Sequence, residues 1–264
     1  MSEAKGIRSR ATLNPTCQHD LISSKYLIEL GINIITLQEP AINHLHQTIA
    51  TKDWITIYPT THSSKPEDTR SIILINTSLT SDSWQQLEFP SGDVTIAQVR
   101  GEWGKLTIFN IYNDCRHNRT VTLLNEYTHR HTDQIENAAE GNTHSIWLGD
   151  FNRHHPHWNN PEDTRLFTKG ALNATELLIE AVAEAGLEMI LPSGIPMHQH
   201  NVSKRWSRLN NVFMSDHSTD TLISCTTIPE QRGIHTDHLP ILTKLDMSVQ
   251  INPTRSIRNF REID

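Results

Sequence analysis

Short apolar runs rich in Ile, Val, Thr and aromatic residues, cut off by turn-forming clusters, dominate the chain and predict strands. Ile7 to Leu13 reads as a strand ending at Asn14-Pro15, since a proline pushes its predecessor to an extended conformation. Ile32 to Leu37 follows as a dense β-branched strand that ends in Gln38-Glu39-Pro40. Trp54 to Tyr58, Ser71 to Asn76, Ser83 to Leu87, Val94 to Val99 and Leu106 to Tyr112 continue the series, with breaks such as Ser63-Ser64-Lys65-Pro66 and Ser91-Gly92-Asp93. Ile146 to Asp150, Ser207 to Phe213, Leu222 to Cys225 and Leu239 to Leu245 complete it. The even spacing favours antiparallel meanders.

Helical periodicity is confined to a few stretches. Ala174, Leu177, Leu178, Ala181, Val182 and Ala185 follow the i, i+3, i+4, i+7 rule and form a core stripe, with Gly186 as the stop. Cys17 to Leu30, closed by Gly31, and the polar Asn118 to Ala139, with Val121, Leu124, Tyr127 and Ile135 on one side, are expected as helices. Many strands with a helix between some of them predict two packed sheets with helices on their outer faces.

Composition narrows this picture. With 264 residues and 36% hydrophobic content the chain can bury a sizeable core, and no linker or repeat divides it, so residues 1–250 are expected as one domain and 251–264 as a basic tail. A net charge of -7 argues against a protein that coats nucleic acid through general basicity, yet permits a local basic rim around an acidic centre. Cys17, Cys115 and Cys225 are odd in number and far apart, which predicts no disulfide framework and a reducing, intracellular setting. The first residues lack the apolar core of a signal peptide, and no run is long enough to span a bilayer.

Polar residues recur where apolar strands end: Asn14, Glu39, Tyr112-Asn113, Asp150 with Asn152, Asn210-Asn211 and Asp237-His238. Gathered at one rim they would place hard oxygen donors together, a set suited to Mg2+ or Mn2+ and to hydrolysis of a phosphate ester. Asp150 and Asn152, alternating along an extended backbone, are expected on one side. His154, His155 and His157 are close in sequence, but adjacent imidazoles on an extended loop diverge and no further donor completes a tetrahedral set, so zinc is not expected there.

Asn14, Leu37-Gln38-Glu39, Tyr112, Gly149-Asp150-Phe151-Asn152 and Thr236-Asp237-His238-Leu239-Pro240-Ile241, in this order, resemble the endonuclease/exonuclease/phosphatase superfamily. Within it, Gly149 through Trp158 resembles the apurinic/apyrimidinic-like endonuclease domain of non-LTR retrotransposons, especially fungal ones. The resemblance spans Ile7 to Leu245. It implies a four-layered α/β-sandwich, with two mainly antiparallel sheets flanked by helices, and metal-dependent nicking of one DNA strand to leave a 3′-hydroxyl. Carried over, Glu39 is the main ligand for Mg2+ or Mn2+, with Asn14 beside it and Asp237 on the metal side. Asp150 orients or deprotonates water, Asn152 holds the phosphate, Tyr112 contacts it or supports the leaving group, and His238 hydrogen-bonds the phosphoryl oxygen. Beside these, Arg153 and His154 read as DNA-facing groups or as supports for the site residues, and Arg208 as a substrate contact.

Two departures from the family pattern stand out. Asn210, within Arg208-Leu209-Asn210-Asn211-Val212-Phe213, occupies the usual position of an aspartate that orients the histidine, and an amide supplies no negative charge. Asn14-Pro15-Thr16 lacks the second acidic or amide residue of some relatives. These leave two alternatives: a catalytically impaired binder of nucleic acid or protein, and a phosphatase of the same superfamily acting on a small phosphoester. The tail from Asn252 to Asp264 resembles the linker that precedes a reverse transcriptase in retrotransposon polyproteins, which would imply a nuclear enzyme.

Overall fold

The computed structural model describes residues 10–17, 31–48, 51–136, 142–233 and 236–248. One six-stranded sheet contains β1 (Arg10–Cys17), β2 (Ile34–Gln38), β3 (Trp54–Ile57), β4 (Ser71–Asn76), β13 (Leu222–Thr227) and β14 (Ile241–Asp246), in the order β13-β14-β1-β2-β4-β3. The second contains β5 (Trp84–Leu87), β6 (Val94–Gly101), β7 (Gly104–Tyr112), β8 (Thr143–Asp150), β9 (Leu187–Met189) and β12 (Asn210–Ser215), in the order β5-β6-β7-β8-β12-β9. A small hairpin, β10 (His198–Gln199) with β11 (Trp206–Ser207), stands apart. Among the described residues the α-helices are α1 (Arg119–Arg130), α2 (Thr132–Ile135) and α3 (Lys169–Glu184).

Period-two alternation sorts the strands' side chains. Ile34, Ile73 and Ile75 meet Ile108, Ile146, Leu148 and Val212 in a core between the sheets. The opposite face of the second sheet packs Phe109, Trp147, Phe151 and Phe213 against Val121, Leu124, Leu178 and Ala181 of α1 and α3. This is the expected α/β-sandwich, mainly antiparallel. Cys17 ends β1, and the rest of the helix expected from Cys17 to Leu30, like the tail after Asn252, lies outside the described residues.

Several local expectations change. The meander is interrupted by two parallel pairs, β1 with β2 and β7 with β8. A parallel pair needs a crossover, and α1 and α2 supply it between β7 and β8. β1 runs through Asn14-Pro15 instead of ending there. Pairing with β14 stops at Leu13, so the missing Pro15 N–H falls where one edge of the strand is unpaired. The single helix expected over Asn118 to Ala139 breaks at His131, whose φ of -116° is not helical and whose Nδ1–H donates to the Tyr127 carbonyl. The expected strand from Ser207 to Phe213 splits around Arg208-Leu209 into β11 and β12. α3 starts five residues before Ala174, where Thr168 caps it by accepting from the Ala171 N–H, and Leu177 is 44% exposed and so no part of the core stripe.

A buried polar bridge crosses the apolar core near the rim. Asn110 donates from Nδ2 to the carbonyls of Leu37 (2.9 Å) and Ile72 (2.8 Å) and accepts from the Gln38 amide. Ser71 Oγ donates to the Asn110 carbonyl at 2.8 Å. Unmade, such bonds cost far more than they contribute when made. Asn110→Ala is therefore expected to lose about 2–4 kcal/mol, read as a lower urea midpoint at unchanged m.

Candidate active site

One row across the second sheet organises the site. Tyr112 is in register with Asp150 on the parallel neighbour, and Asp150 is in register with Asn210 on the antiparallel one. Cross-strand partners share a face, so the row extends the core-facing side of β7, β8 and β12 to the edge of the sandwich. Glu39 joins it from the other sheet, its N–H bonded to the Arg70 carbonyl (2.9 Å) and its carboxylate near enough to Tyr112 to raise the pKa of that hydroxyl. His238 closes the other end, with Nδ1 donating to Asn210 Oδ1 at 2.7 Å. The sequence-expected residues Glu39, Tyr112, Asp150, Asn210, Asp237 and His238 are thus gathered at one rim of the sandwich.

Local backbone explains why these positions need these residues. Gly149 has φ 143°, and a Cβ there would overlap the carbonyl oxygen of Ile111, its partner on β7. Glu39 has φ 50° directly before Pro40, where a non-glycine residue is strained by about 1–3 kcal/mol. Asn152 also has φ 50°, so it does not alternate with Asp150 along an extended strand. It turns back instead: its N–H donates to Asp150 Oδ1 (2.9 Å) and its Nδ2 to the Asn113 carbonyl (3.0 Å). Two left-handed non-glycine residues at the ends of β2 and β8 mark a place where the fold holds strain.

The electrostatics are those of crowded anions. Asp150 is 6% exposed, and burial, opposed by the Asn152 N–H and reinforced by the Glu39 and Asp237 carboxylates, pushes its pKa up to about 7. Burial, then Glu39, raises the Tyr112 hydroxyl. Burial, with His198 and Arg232 adding to it against Asp237, lowers His238 to about 4, so the ring is neutral. Its single N–H is committed to Asn210, leaving Nε2 as a lone pair. A buried Asp150 with the Glu39 and Asp237 carboxylates close enough to act on it is an anionic setting suited to a divalent cation, and Glu39 and Asp237, with Asn14 as the expected neighbour, are the residues that would hold it. The backbone of Asn14 lies on β1, paired with Ile35, so it is mid-strand.

Other expected residues stand elsewhere. Arg153 was expected to face DNA or support the site and Arg208 to touch substrate, but they are 5% and 1% exposed. Arg153 donates to Asn118 Oδ1 and to the carbonyls of Asp114, Asn152, His117 and Ala174. Arg208 donates to the carbonyls of Leu191, Pro192, Trp158 and Asn210 and to Asn211 Oδ1. A guanidinium with this many buried acceptors is a loop clamp, and no donor is left for a phosphate. His154 is partly buried, with Nδ1 near Asn159 Nδ2 (3.3 Å), and lies near His198. His155 and His157 stack edge to face, apart from the metal-capable group among the described residues, which is His198, Asp237 and His238.

Sequence reasoning missed two participants. Arg70 lies 4.7 Å over the Tyr112 ring and is held there by Asp93 and Asp114, each at 2.7 Å. Nothing local marks an arginine at the start of a buried strand as a partner of a tyrosine on the other sheet. His198 faces Asp237 and His238 from the hairpin, and its only signal was an alternating His198-Gln199-His200 between Pro196 and Asn201.

Comparison with known proteins bears on the fold and the family. No curated protein sequence matches the chain. The endonuclease domain of TRAS1, a telomere-specific non-LTR retrotransposon, superposes with TM-score 0.65 at 13% identity, over 89% of this chain and 98% of that one. The AP endonuclease LMAP from Leishmania major gives 0.68 at 13%, over 90% and 88%. The 3′ phosphatase NExo from Neisseria, solved with a product DNA hairpin, gives 0.64 at 14%, over 89% and 99%. The profile of the endonuclease-reverse transcriptase family matches residues 106–242, just over half of the chain and inclusive of Tyr112, Asp150, Asn210 and His238. The chain belongs to that family, within the endonuclease/exonuclease/phosphatase superfamily of nucleases and phosphodiesterases.

Proposed function

We propose that the protein is a divalent-metal-dependent phosphodiesterase that nicks one strand of DNA and leaves a 3′-hydroxyl, as a retrotransposon-type endonuclease would. The observation that carries this reading is the unbroken row Tyr112, Asp150, Asn210, joined at one end by Glu39 and at the other by His238 and Asp237. Glu39, Asn14 and Asp237 would hold Mg2+ or Mn2+, which would supply charge stabilisation on phosphoryl oxygens. Asp150, titrating near neutrality, takes or orients the proton of the attacking water. The second N–H of the Asn152 amide holds the phosphate, and the Tyr112 hydroxyl, steered by Arg70, supports the leaving oxygen. The family name and TRAS1 support a reverse transcriptase on the same parent polypeptide and action in the nucleus. Primer extension on nicked plasmid tests the product: a DNA polymerase extends a 3′-hydroxyl directly, and a requirement for prior phosphatase treatment overturns the assignment.

Asn210 favours a second reading, an impaired enzyme. A neutral His238 whose N–H is given to an amide oxygen cannot donate to a phosphoryl oxygen from Nε2. An aspartate would favour the imidazolium and raise the His238 pKa by about 1–3 units. Asn210→Asp is expected to raise nicking by about tenfold or more and to shift its pH profile upward by that amount. An unchanged rate and profile would remove Asn210 as the cause of any weakness.

A further inference from the structure

We infer a second metal site, for Zn2+, built from His198, Asp237 and His238 and assigned by the convergence of their donor atoms at the foot of the β10–β11 hairpin. One ligand atom from each residue lies within 4.8 Å of the others. His198 Nε2 stands 3.5 Å from Asp237 Oδ2, and His238 Nε2 stands 3.7 Å from Asp237 Oδ1. These gaps are long for N–H···O bonds, which close to about 2.7–3.2 Å. They are near the spacing of two ligands on one tetrahedral zinc, about 3.3–3.4 Å for bonds of about 2.0–2.1 Å.

The far side of each donor is already secured. His238 Nδ1 gives its proton to Asn210 Oδ1 at 2.7 Å, and His198 Nδ1 lies 3.2 Å from Ser207 Oγ. Asp237 Oδ2 accepts from Asn201 Nδ2 at 3.2 Å. His238 therefore turns a lone pair inward, and Ser207 Oγ, able to accept from His198 Nδ1, lets His198 do the same, as metal-bound histidines do when an outer partner fixes the tautomer. The backbone presets the spacing. His198 and His238 form an isolated β-bridge, flanked by Gln199 N–H to the Asp237 carbonyl (2.8 Å) and Leu239 N–H to the Met197 carbonyl (2.7 Å). The side chains of His198, His238 and Asp237 keep 16%, 13% and 32% of their surface, enough for an ion to enter past Asp237.

Two neutral nitrogens and one carboxylate choose Zn2+ over Mg2+, which prefers oxygen donors. Three protein ligands leave a fourth position for water. Where the proposed nuclease function also holds, bound Zn2+ takes Asp237 and His238 out of that site and halts nicking. That consequence rests on the nuclease reading; the binding test does not.

The test is titration of the full chain with Co2+, followed by visible absorption, with Zn2+ as competitor. The expected result is one tetrahedral Co2+ per chain, seen as the intense bands of that coordination, displaced by Zn2+ at far lower concentration than by Mg2+, which competes only for Asp237. His198→Ala is expected to weaken binding by more than about 100-fold, because outer partners alone are worth about 10- to 100-fold, and Ser207→Ala by about tenfold. His198→Gln, which keeps a polar side chain beside Ser207, is the second variant should the alanine protein fold poorly. His157→Ala leaves binding intact. Absence of tetrahedral Co2+ bands in the wild type, or equal affinity in a folded His198 variant, overturns the site.

Discussion

Asp150→Asn is expected to abolish nicking and, in EDTA, to make the protein more stable. Both follow from one carboxylate buried beside two others. Loss of the group that handles the water's proton costs about 10²–10⁴ in rate. The stability effect has a definite sign. Asp150 has its folded pKa raised from 3.8 to about 7 by burial and by Glu39 and Asp237. The group's contribution to stability is fully present below the unfolded value and is lost as pH rises through the folded one. The wild type without metal therefore weakens between those two values, whereas an amide at this position does not titrate. An asparagine retains the oxygen that accepts the Asn152 N–H. The variant should gain on the order of 2–4 kcal/mol over wild type at about pH 8 and nothing at about pH 3. Thermal unfolding in EDTA at the two pH values checks this, and a variant no more stable at the higher pH would contradict it. Added Mg2+ should narrow the gap by stabilising only the wild type.

Gly149→Ala and Gly170→Ala are expected to have opposite effects. At Gly149 the backbone is at φ 143° and the added methyl would overlap the Ile111 carbonyl across the parallel β7–β8 pair. Neither strand can yield, because Ile111 and Trp147 are fully buried against the helices. The cost is expected to exceed about 3 kcal/mol, and any displacement falls on Asp150 next to it. Gly170 lies in the first turn of α3, where an added methyl would meet nothing within 4 Å. Alanine there should stabilise by about 0.5–1 kcal/mol. Denaturant midpoints of the two variants decide it: equal shifts would mean that close approach of β7 and β8 is not what places Asp150.

The strands were legible because β-branched runs recorded their own burial, and the site was legible where those runs ended in a polar residue, as at Glu39, Asp150 and Asn210. Parallel pairing was not legible, since β7 and β8 are as apolar as any antiparallel pair and only the intervening helices distinguish them. The sequence leaves Arg153 open as a DNA-facing or supporting group and points to Arg208 as a substrate contact. What buries Arg153 and Arg208 is a set of backbone carbonyls from separate loops, which no local pattern announces. The bridge from Gln38 to Asn110 and the approach of His198 to His238 likewise join positions remote in sequence. Residue chemistry at strand ends was readable, and the supports beneath it were not.

Glu39, Asp150 and Asp237 are proposed to share one divalent-cation phosphodiesterase site. Conversion of supercoiled plasmid to the open circle, followed against Mg2+ concentration for wild type, Glu39→Gln and Asp150→Asn, tests it most directly. The expected result is nicking by the wild type that EDTA abolishes, a higher Mg2+ requirement in Glu39→Gln, and no nicking by Asp150→Asn at any Mg2+ concentration. Nicking that persists in EDTA, or that proceeds equally in Asp150→Asn, would contradict it.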